Sequence, residues 1–245
     1  YCSAVVSFLL FLLLLGWTNH LANTQDAQQM AGRWSEKKDV AQISCFFSSK
    51  AEVTEDTIQS FEYSLKNVLQ EASITETSEN PSARLWVDAY SADGKITLVN
   101  GKNTLDANAI GIGGDFFMFH PLKLITGAYF SGNDLMQDYC IIDQDAAWQL
   151  FGSNDVVGMT VYIGNVPHIV TGVVQRPDSR MDKAAGLNST VVYVSYETLS
   201  AYGTNNGINH YEIVMPNPVD EFAYGKVKEG IGIDEKNVEI VENSR

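Results

Sequence analysis

The chain has 245 residues, 45% hydrophobic and 19% charged, with a formal net charge of −14 at pH 7. This length suits one large domain or two small ones and allows a substantial buried core. The apolar content, with 11 Phe and 11 Tyr, excludes intrinsic disorder. The acidic balance argues against a nucleic-acid-binding surface, so we expect no nucleic-acid partner, and against docking on anionic lipid by charge alone.

The N-terminus is the one strongly apolar segment. Residues 1–17 read YCSAVVSFLLFLLLLGW, and the first charged residue is Asp26. A signal peptide would have a basic region before the apolar run and a small-x-small cleavage site after it, whereas no Lys or Arg precedes Arg33. We therefore favour a transmembrane helix over residues 1–17, truncated at its start and surrounded by membrane lipid. Residues after about 18 are then extracytoplasmic, and the protein is located at the cell membrane.

The next segments predict a β-α-β-β unit. Residues 18–39 are polar and are typical of a helical stalk or linker, and Ala41–Phe47 forms a short apolar strand. Thr54 is placed to cap a following helix. Asp93-Gly94, between two alternating segments, predicts the turn of a β-hairpin. The helix is indicated by apolar residues at helical spacing, namely Ile58, Phe61, Leu65, Val68 and Leu69.

Residues 101–208 have a different character, with short strands, glycine-rich turns and brief helices. Asp145 is expected to cap a helix that ends at Gly152. A second hairpin is predicted about Gly164-Asn165, with Val161, Ile163, Ile169 and Val170 as apolar positions on its arms. A further strand, TVVYVS, leads into the short helix of YETLSAYG.

The C-terminal segment returns to the β-α-β pattern. Tyr211–Met215 predicts a strand, Val219, Phe222 and Val227 share one side of a helix, and Val238–Val241 predicts a final strand. The fold class is therefore α+β. A discontinuous β-α-β domain, 40–100 and 209–245, carries an inserted β-rich subdomain, 101–208.

Candidate sites are few. The segment IGIGGD at Ile110–Asp115 lacks the Lys-Ser or Lys-Thr of a P-loop and the following helix of a dinucleotide fingerprint, so we interpret it as a strand and loop. The four histidines are distant in sequence, and a zinc site would have to gather them from separate segments. We interpret them as packing or surface residues and predict no metal site. They are His20, His120, His168 and His210.

Catalytic groups are also not recognisable. Asp143 and Asp145 resemble a carboxylate pair, but a helix cap and a strand end explain them more simply. No serine lies in a G-x-S-x-G motif, and the cysteines have no neighbouring base. Cys45 and Cys140 are expected as buried thiols, and a disulfide between them is a minor alternative. We predict no catalytic or cofactor-binding residue.

The loop Arg176–Thr190 is the densest basic cluster. Three cations fall within eight residues, with two aspartates among them as possible partners. We favour a solvated loop over a contact surface, although loops concentrate binding residues. The cations are Arg176, Arg180 and Lys183, and the aspartates are Asp178 and Asp182.

The order of motifs in the middle segment resembles the extracytoplasmic core domain of MacB/FtsX-like ABC transporter permeases. The resemblance rests on Ala109–Phe130, Asp138–Val174 and Thr190–Gly203. Within them, the matching positions are Gly114, Phe116, Phe117, Gly127, Phe130, Phe151, Gly152, Gly158, Thr171, Gly172 and Val173. These motifs are structural and support the fold more strongly than a substrate. The resemblance covers roughly residues 41–241.

The resemblance implies a non-enzymatic domain placed between the first and second of four membrane helices. Its α/β part would be the porter-like subdomain of the family. ATP would be used by a fused or separate nucleotide-binding domain outside this chain, and the domain itself would need no cofactor. The implied partners are an ABC ATPase subunit and a second permease copy, with an unknown cargo such as an amphipathic peptide, drug or lipoprotein. The stalk and the final strand, both at the membrane end, would carry the motion. Two rival hypotheses stay open, a single-pass anchored sensor or binding domain and a secreted hydrolase.

Overall fold

The computed structural model describes residues 2–23, 28–35, 39–75, 83–176 and 189–243. The helices are α1 (Cys2–Asn23), α2 (Met30–Trp34), α3 (Glu55–Glu71), α4 (Phe116–Phe119), α5 (Gln144–Phe151), α6 (Tyr196–Tyr202) and α7 (Phe222–Gly230). The strands are β1 (Val40–Phe47), β2 (Val87–Asn100), β3 (Asn103–Gly114), β4 (Leu124–Gly127), β5 (Tyr139–Asp143), β6 (Thr160–Ile163), β7 (Val166–Val174), β8 (Val191–Ser195), β9 (Thr204–Asn205), β10 (His210–Pro216) and β11 (Val238–Glu242). The chain is thus α+β, as the sequence predicts.

Helix α1 contains the apolar N-terminal run and extends past residue 17. Its described side chains, at residues 6–18, are all exposed. Over the residues that the structure describes, no helix satisfies the combined length and hydropathy needed to cross a bilayer. The membrane helix at 1–17 therefore stays a prediction. The predicted stalk at 18–39 lies partly outside the described residues, and its described part includes α2, whose Met30 is buried.

One sheet connects all eleven strands. The strand order is β11-β1-β10-β2-β3-β8-β5-β7-β4, and β6 and β9 pair with β2 beside this path. The long β2–β3 pair runs from Ala89 opposite Gly114 to Asn100 opposite Asn103 and so joins the two halves of the sheet. The pair of strands β2 and β3 contributes to both halves of the sheet. We therefore keep as a prediction the division into one domain of residues 40–100 with 209–245 and an inserted one of residues 101–208.

The hairpin predicted at Asp93-Gly94 is wrong. Both residues lie inside β2, and the chain turns at Gly101 and Lys102 instead. Gly94 has a tertiary role, because a Cβ at this position would collide with the backbone oxygen of Thr204 in β9. A glycine inside a strand often marks such a close approach of another backbone.

Helices α3 and α7 pack on one face of the β11-β1-β10-β2 part of the sheet. The cap of α3 is confirmed, because Thr54 and Thr57 form a reciprocal capping box. The helical periodicity is confirmed at four of its five positions, with Val68 half-buried. In α7, Val227 is buried, but the predicted packing of Val219 is wrong, since this side chain is 64% exposed. The buried residues of this core are Ala41, Ile43, Cys45, Phe47, Val53, Ile58, Phe61, Leu65, Leu69, Ile208, Tyr211, Ile213, Met215, Ala223, Val227 and Ile231.

The middle of the chain builds a second, aliphatic core under α5 and α6. The helix cap predicted at Asp145 is wrong, because Asp143 accepts the hydrogen bond from the Ala146 N–H at 2.8 Å. The end of α5 at Gly152 is confirmed, with a left-handed φ of 73°. The hairpin at Gly164-Asn165 is also confirmed, and φ is positive at both residues.

Two details of this second core differ from prediction. His168 points into the core of the hairpin, while the predicted apolar position Ile169 is only half-buried. Cys140 lies in this core and Cys45 in the α3 core, and both are free thiols. The alternative of a Cys45–Cys140 disulfide is therefore wrong.

A third core covers the opposite face of the sheet. Helix α2, helix α4 and the segment after α4 pack there, and Phe116, Phe117, Phe119 and Phe130 supply most of the aromatic area. The strand predicted at Ile110–Asp115 is confirmed up to Gly114, but the absence of a following helix is wrong, because the four-residue helix α4 begins at Phe116 and carries the packed aromatics. This arrangement places two different polar groupings on the two faces of the same sheet.

Candidate functional site

A cleft of about 620 Å³ lies between helix α3 and the start of strand β2. Its walls combine apolar surface with acidic and basic groups. Carboxyl groups come from Glu55, Glu62 and Asp88, and cations from Lys66 and Arg84. The apolar and aromatic lining includes Ile74, Leu85, Trp86 and Tyr90. Such a mixture suits a ligand with an apolar body and a polar or cationic group.

Glu62 and Asp88 form a hydrogen-bonded carboxyl pair in this cleft. Burial, together with the charge of Asp88, raises the pKa of Glu62 to about 8. Burial also raises the pKa of Asp88, although the hydrogen bonds from Glu62 and Tyr211 oppose this effect. The Tyr211 hydroxyl donates to Asp88 Oδ2 at 2.9 Å. The pair therefore retains one proton near neutral pH, because two adjacent carboxylates disfavour each other's ionisation.

The rim of the cleft is held by an ion pair and by an aromatic ring. Arg84 Nη1 donates to Asp115 Oδ2 at 2.5 Å. The Tyr90 ring lies where a Cβ of Gly113, its partner in β3, would be. A residue other than glycine at position 113 would therefore displace Tyr90 from the cleft wall.

The opposite face of the sheet carries a buried polar row, on strands β1 and β10. Gln42 and Ser44 of β1 and Glu212 of β10 are each at most 4% exposed. Ser44 Oγ donates to Glu212 Oε1 at 3.0 Å, and Gln42 Nε2 does so at 3.4 Å. These bonds satisfy one oxygen of a buried carboxylate, which would otherwise be costly to remove from water.

Two histidines complete this polar row. His120 Nε2 lies 2.5 Å from Glu212 Oε2, and His210 Nε2 lies 3.8 Å from Glu212 Oε1. Burial alone would raise the pKa of Glu212, but the His120 and His210 imidazoles hold it below its ordinary value. Burial lowers the pKa of His210, which favours its neutral form. The three side chains could hold a metal ion, since their ligand atoms all lie within 4.8 Å of one another.

The sequence interpretation of the histidines as packing or surface residues did not anticipate that the fold brings His120 and His210 together beside Glu212. The alternation His210-x-Glu212 on a strand was the available signal, because residues i and i+2 share a face. His120, about 90 residues earlier in the chain, could not be assigned to that face from the sequence. His168 is a core residue that contacts the Val166 carbonyl and the Thr198 hydroxyl. The side chain of His20 lies outside the described residues.

Gln42 also joins the two ends of the domain. Its Oε1 accepts a hydrogen bond from the Met30 N–H of α2 at 3.0 Å. Its backbone oxygen accepts one from the Asn243 N–H, just after β11, at 2.8 Å. Arg33 of α2 additionally donates to the Met118 carbonyl at 2.8 Å. The segments that enter and leave the domain are thus fixed to one buried residue of β1.

The remaining predicted residues form a structural ion pair. Arg176 donates to Asp143 Oδ2 at 2.8 Å, and its Nη1 lies 2.6 Å from Asp145 Oδ2. Asp143 and Asp145 are thus side by side and share one cation between β5 and the start of the 176–190 loop. The rest of this loop's predicted charges, Asp178, Arg180, Asp182 and Lys183, lie outside the described residues.

The fold is similar to that of two solved transporter domains. The chain is similar to the extracellular domain of the noncanonic ABC-type transporter YknZ from Gram-positive bacteria, at 19% identity and TM-score 0.52 over 82% of this chain and 99% of that one. It is equally similar to the periplasmic region of MacB from Actinobacillus actinomycetemcomitans, at 19% identity and TM-score 0.53 over 82% and 88% of the two chains. This α+β fold is thus that of extracytoplasmic domains of ABC-type transporters.

Residues 6–240 match the family model of the MacB-like periplasmic core domain, and the chain belongs to that family. The macrolide export ATP-binding/permease protein MacB of Chromobacterium violaceum is 32% identical over 99 residues, which are 40% of this chain and 15% of that protein. The protein of the same name from Pasteurella multocida is 30% identical over 98 residues, 39% of this chain and 14% of that protein. The chain therefore matches only a small part of these relatives. The resemblance drawn from the sequence motifs is confirmed, and so is the extracytoplasmic location of the domain.

Proposed function

We propose that this domain couples the ATP-driven motion of a cytoplasmic ATPase to the export or release of an amphipathic peptide, drug or lipoprotein. The ATPase is a fused or separate ABC subunit, and a second permease copy completes the assembly. Residues 1–17 anchor the domain in membrane lipid. The domain itself is not an enzyme and uses no cofactor.

The observation that carries this proposal is the junction at Gln42. A coupling domain has to transmit a displacement of its membrane-side segments to its body. Here Met30 of α2 and Asn243, just after β11, both donate to Gln42, which is fully buried in the central sheet. A movement of either segment is therefore passed directly to β1 and, through the Glu212 hydrogen bond, to β10. Packed cores transmit strain because they have little free volume.

The family membership and the names of the relatives support the transport context. Two of these relatives are named as macrolide export ATP-binding/permease proteins. The α3–β2 cleft supports an amphipathic cargo, because it offers apolar, aromatic and acidic groups together. The net charge of −14 favours cargo with a cationic part.

The experiment is transport by the full protein that carries this chain, reconstituted in liposomes with its ATPase. The intact protein is compared with a variant in which residues 40–243 are replaced by a short flexible linker. We expect ATP-dependent movement of a cationic amphipathic peptide with the intact protein only, while the variant still hydrolyses ATP. Equal transport by both proteins would contradict a coupling role for this domain.

The alternative is an anchored extracellular ligand-binding or sensor domain without transport. The cleft is the specific observation in its favour, since a sensor also needs a partly apolar pocket with a few polar groups. This alternative predicts ligand binding in the cleft with no associated ATPase activity in the purified full protein. ATP hydrolysis stimulated by cargo would exclude it.

A further inference from the structure

Three side chains with metal-binding atoms converge on the face of the sheet opposite α3. His120 follows α4, while His210 and Glu212 lie two residues apart in β10. Two imidazoles and a carboxylate are a common ligand set for zinc. The grouping is distinct from the α3–β2 cleft, and its role does not depend on the proposed transport function.

One of the ligand atoms lacks a hydrogen-bond partner. His210 Nε2 is inaccessible to solvent and makes no hydrogen bond among the described residues. Glu212 Oε2 is also buried and has the close approach of His120 Nε2 at 2.5 Å as its one polar contact among those residues. A buried polar atom without a hydrogen bond is costly and uncommon in folded proteins. A cation bound to His120, His210 and Glu212 at once would give the buried His210 Nε2 a partner and so remove that cost.

The distances are compatible with a single ion. Zinc binds imidazole nitrogen and carboxylate oxygen at about 2.0–2.2 Å, so the ligand atoms of a tetrahedral site lie about 3.4 Å apart. The observed separations are 2.5 Å from His120 Nε2 to Glu212 Oε2 and 3.8 Å from His210 Nε2 to Glu212 Oε1, and the ligand atoms of the three side chains all lie within 4.8 Å of one another. The side chains of His120 and His210 are 24% and 20% exposed, which leaves an entry path.

Groups around the three side chains hold them in place. Ser44 and Gln42 donate to Glu212 Oε1 and so fix the carboxylate. Phe46 stacks on the His210 ring at 4.7 Å, and Phe116 packs against the His120 ring at the same distance. Supporting hydrogen bonds of this kind are typical of metal sites, where they orient the ligands.

We propose that His120, His210 and Glu212 bind one divalent zinc ion, with water as the fourth ligand. The ion joins the segment after α4 to β10. Because Arg33 of α2 bonds to the Met118 carbonyl in α4, the ion also strengthens the attachment of α2 to the sheet. Zinc binding therefore stiffens the end of the domain at which its N-terminal segment enters.

The test is titration of the 245-residue chain with zinc. The chain is purified in mild detergent without a polyhistidine tag and treated with a chelator before calorimetry. We expect one zinc ion per chain and a Tm that rises with zinc concentration, because the ion binds the folded state. Co²⁺ in place of zinc provides a spectroscopic signature, since its visible absorption reports tetrahedral nitrogen and oxygen ligands.

Three variants locate the site. His120→Gln, His210→Gln and Glu212→Gln keep the approximate size of each side chain and should weaken zinc binding at least about tenfold, the lower range for residues that merely orient a ligand. His168→Gln, at a described histidine that contacts Val166 and Thr198 and is not part of the cluster, should bind zinc like the unchanged chain. Circular dichroism without metal checks that every variant is folded. The absence of stoichiometric zinc binding, or equal binding by the unchanged chain and the three folded variants, would overturn the proposal.

Discussion

Strands β1 and β10 present opposite chemistry on their two faces. Towards α3 and α7 they are apolar, whereas towards α2 and α4 they are polar at four positions and apolar at Val40 and Val214. The apolar set is Ala41, Ile43, Cys45, Tyr211, Ile213 and Met215, and the polar set is Gln42, Ser44, His210 and Glu212. The apolar face stabilises the domain through buried area, which is not directional. The stability contributed by the polar face depends on where each hydrogen-bond partner lies. This directional dependence makes that face suitable for the Gln42 junction and for an ion site.

The largest loss of stability is expected from a cavity on the apolar face of these strands. Phe61 of α3 is 2% exposed and meets the Tyr211 ring edge-on at 5.7 Å. Phe61→Ala should lower the free energy of unfolding by about 3–5 kcal/mol. Urea denaturation measures the change. Tyr63→Ala, at a side chain 72% exposed on the same helix, is the matched control and should change it by less than about 0.5 kcal/mol.

On the polar side, the corresponding change is Gln42→Leu. The buried Met30 N–H loses its acceptor, and Glu212 loses one donor. The expected loss is about 1–3 kcal/mol, less than for a cavity, because a leucine still fills the space. Hydrogen exchange at the Met30 amide should accelerate. Gln149→Leu, at an exposed glutamine of α5, serves as control, and equal effects of the two changes would contradict the role given to Gln42.

A smaller effect is expected at the start of α3. Thr54→Ala removes the hydroxyl of the capping box and should cost about 1 kcal/mol. Thermal unfolding followed by circular dichroism measures it. Thr54→Ser keeps the hydroxyl and should retain most of the stability, so a serine variant as unstable as the alanine variant would show that the cap is not the cause.

Glu62→Gln should have the smallest effect on the free energy of unfolding at acidic pH. It should, however, change the way in which this free energy depends on pH. The pKa of Glu62 is raised from 4.5 to about 8 in the folded chain, so the folded state binds this proton more tightly than the unfolded state does. Stability from this group is present below pH 4.5 and is lost as pH rises through about 8. Urea denaturation between pH 5 and pH 9 should show this decline in the unchanged chain and a shallower one in the variant. Identical slopes would exclude a shared proton at Glu62 and Asp88.

Local features of the fold were predictable from the sequence. The cap at Thr54, the glycine end of α5 and the turn at Gly164-Asn165 depend on neighbouring residues, and all three are confirmed. The hairpin at Asp93-Gly94 was wrong because the glycine accommodates the backbone of Thr204, which is distant in sequence. The cap at Asp145 was displaced to Asp143, since the helix starts two residues earlier than its apolar pattern indicates.

The candidate sites were less predictable than the fold. The cleft pairs Glu62 of a helix with Asp88 of a strand, and neither position carries a motif. His120 reaches His210 only because α4 packs on the same face of the sheet. These contacts follow from tertiary packing between distant segments, which a single sequence does not specify. The family motifs concern glycines and aromatics of the framework and so predicted the fold without the sites.

The measurement that tests the central claim most directly is the amount of cargo exported per ATP hydrolysed. It is made on the full protein in liposomes, for the unchanged chain, Gln42→Leu and Gln149→Leu. If Gln42 transmits motion from α2 to the sheet, Gln42→Leu should hydrolyse ATP at the normal rate and export about tenfold less, the scale of a typical coupling free energy. Gln149→Leu should behave like the unchanged protein. An unaltered ratio in a folded Gln42→Leu protein would contradict coupling through this junction.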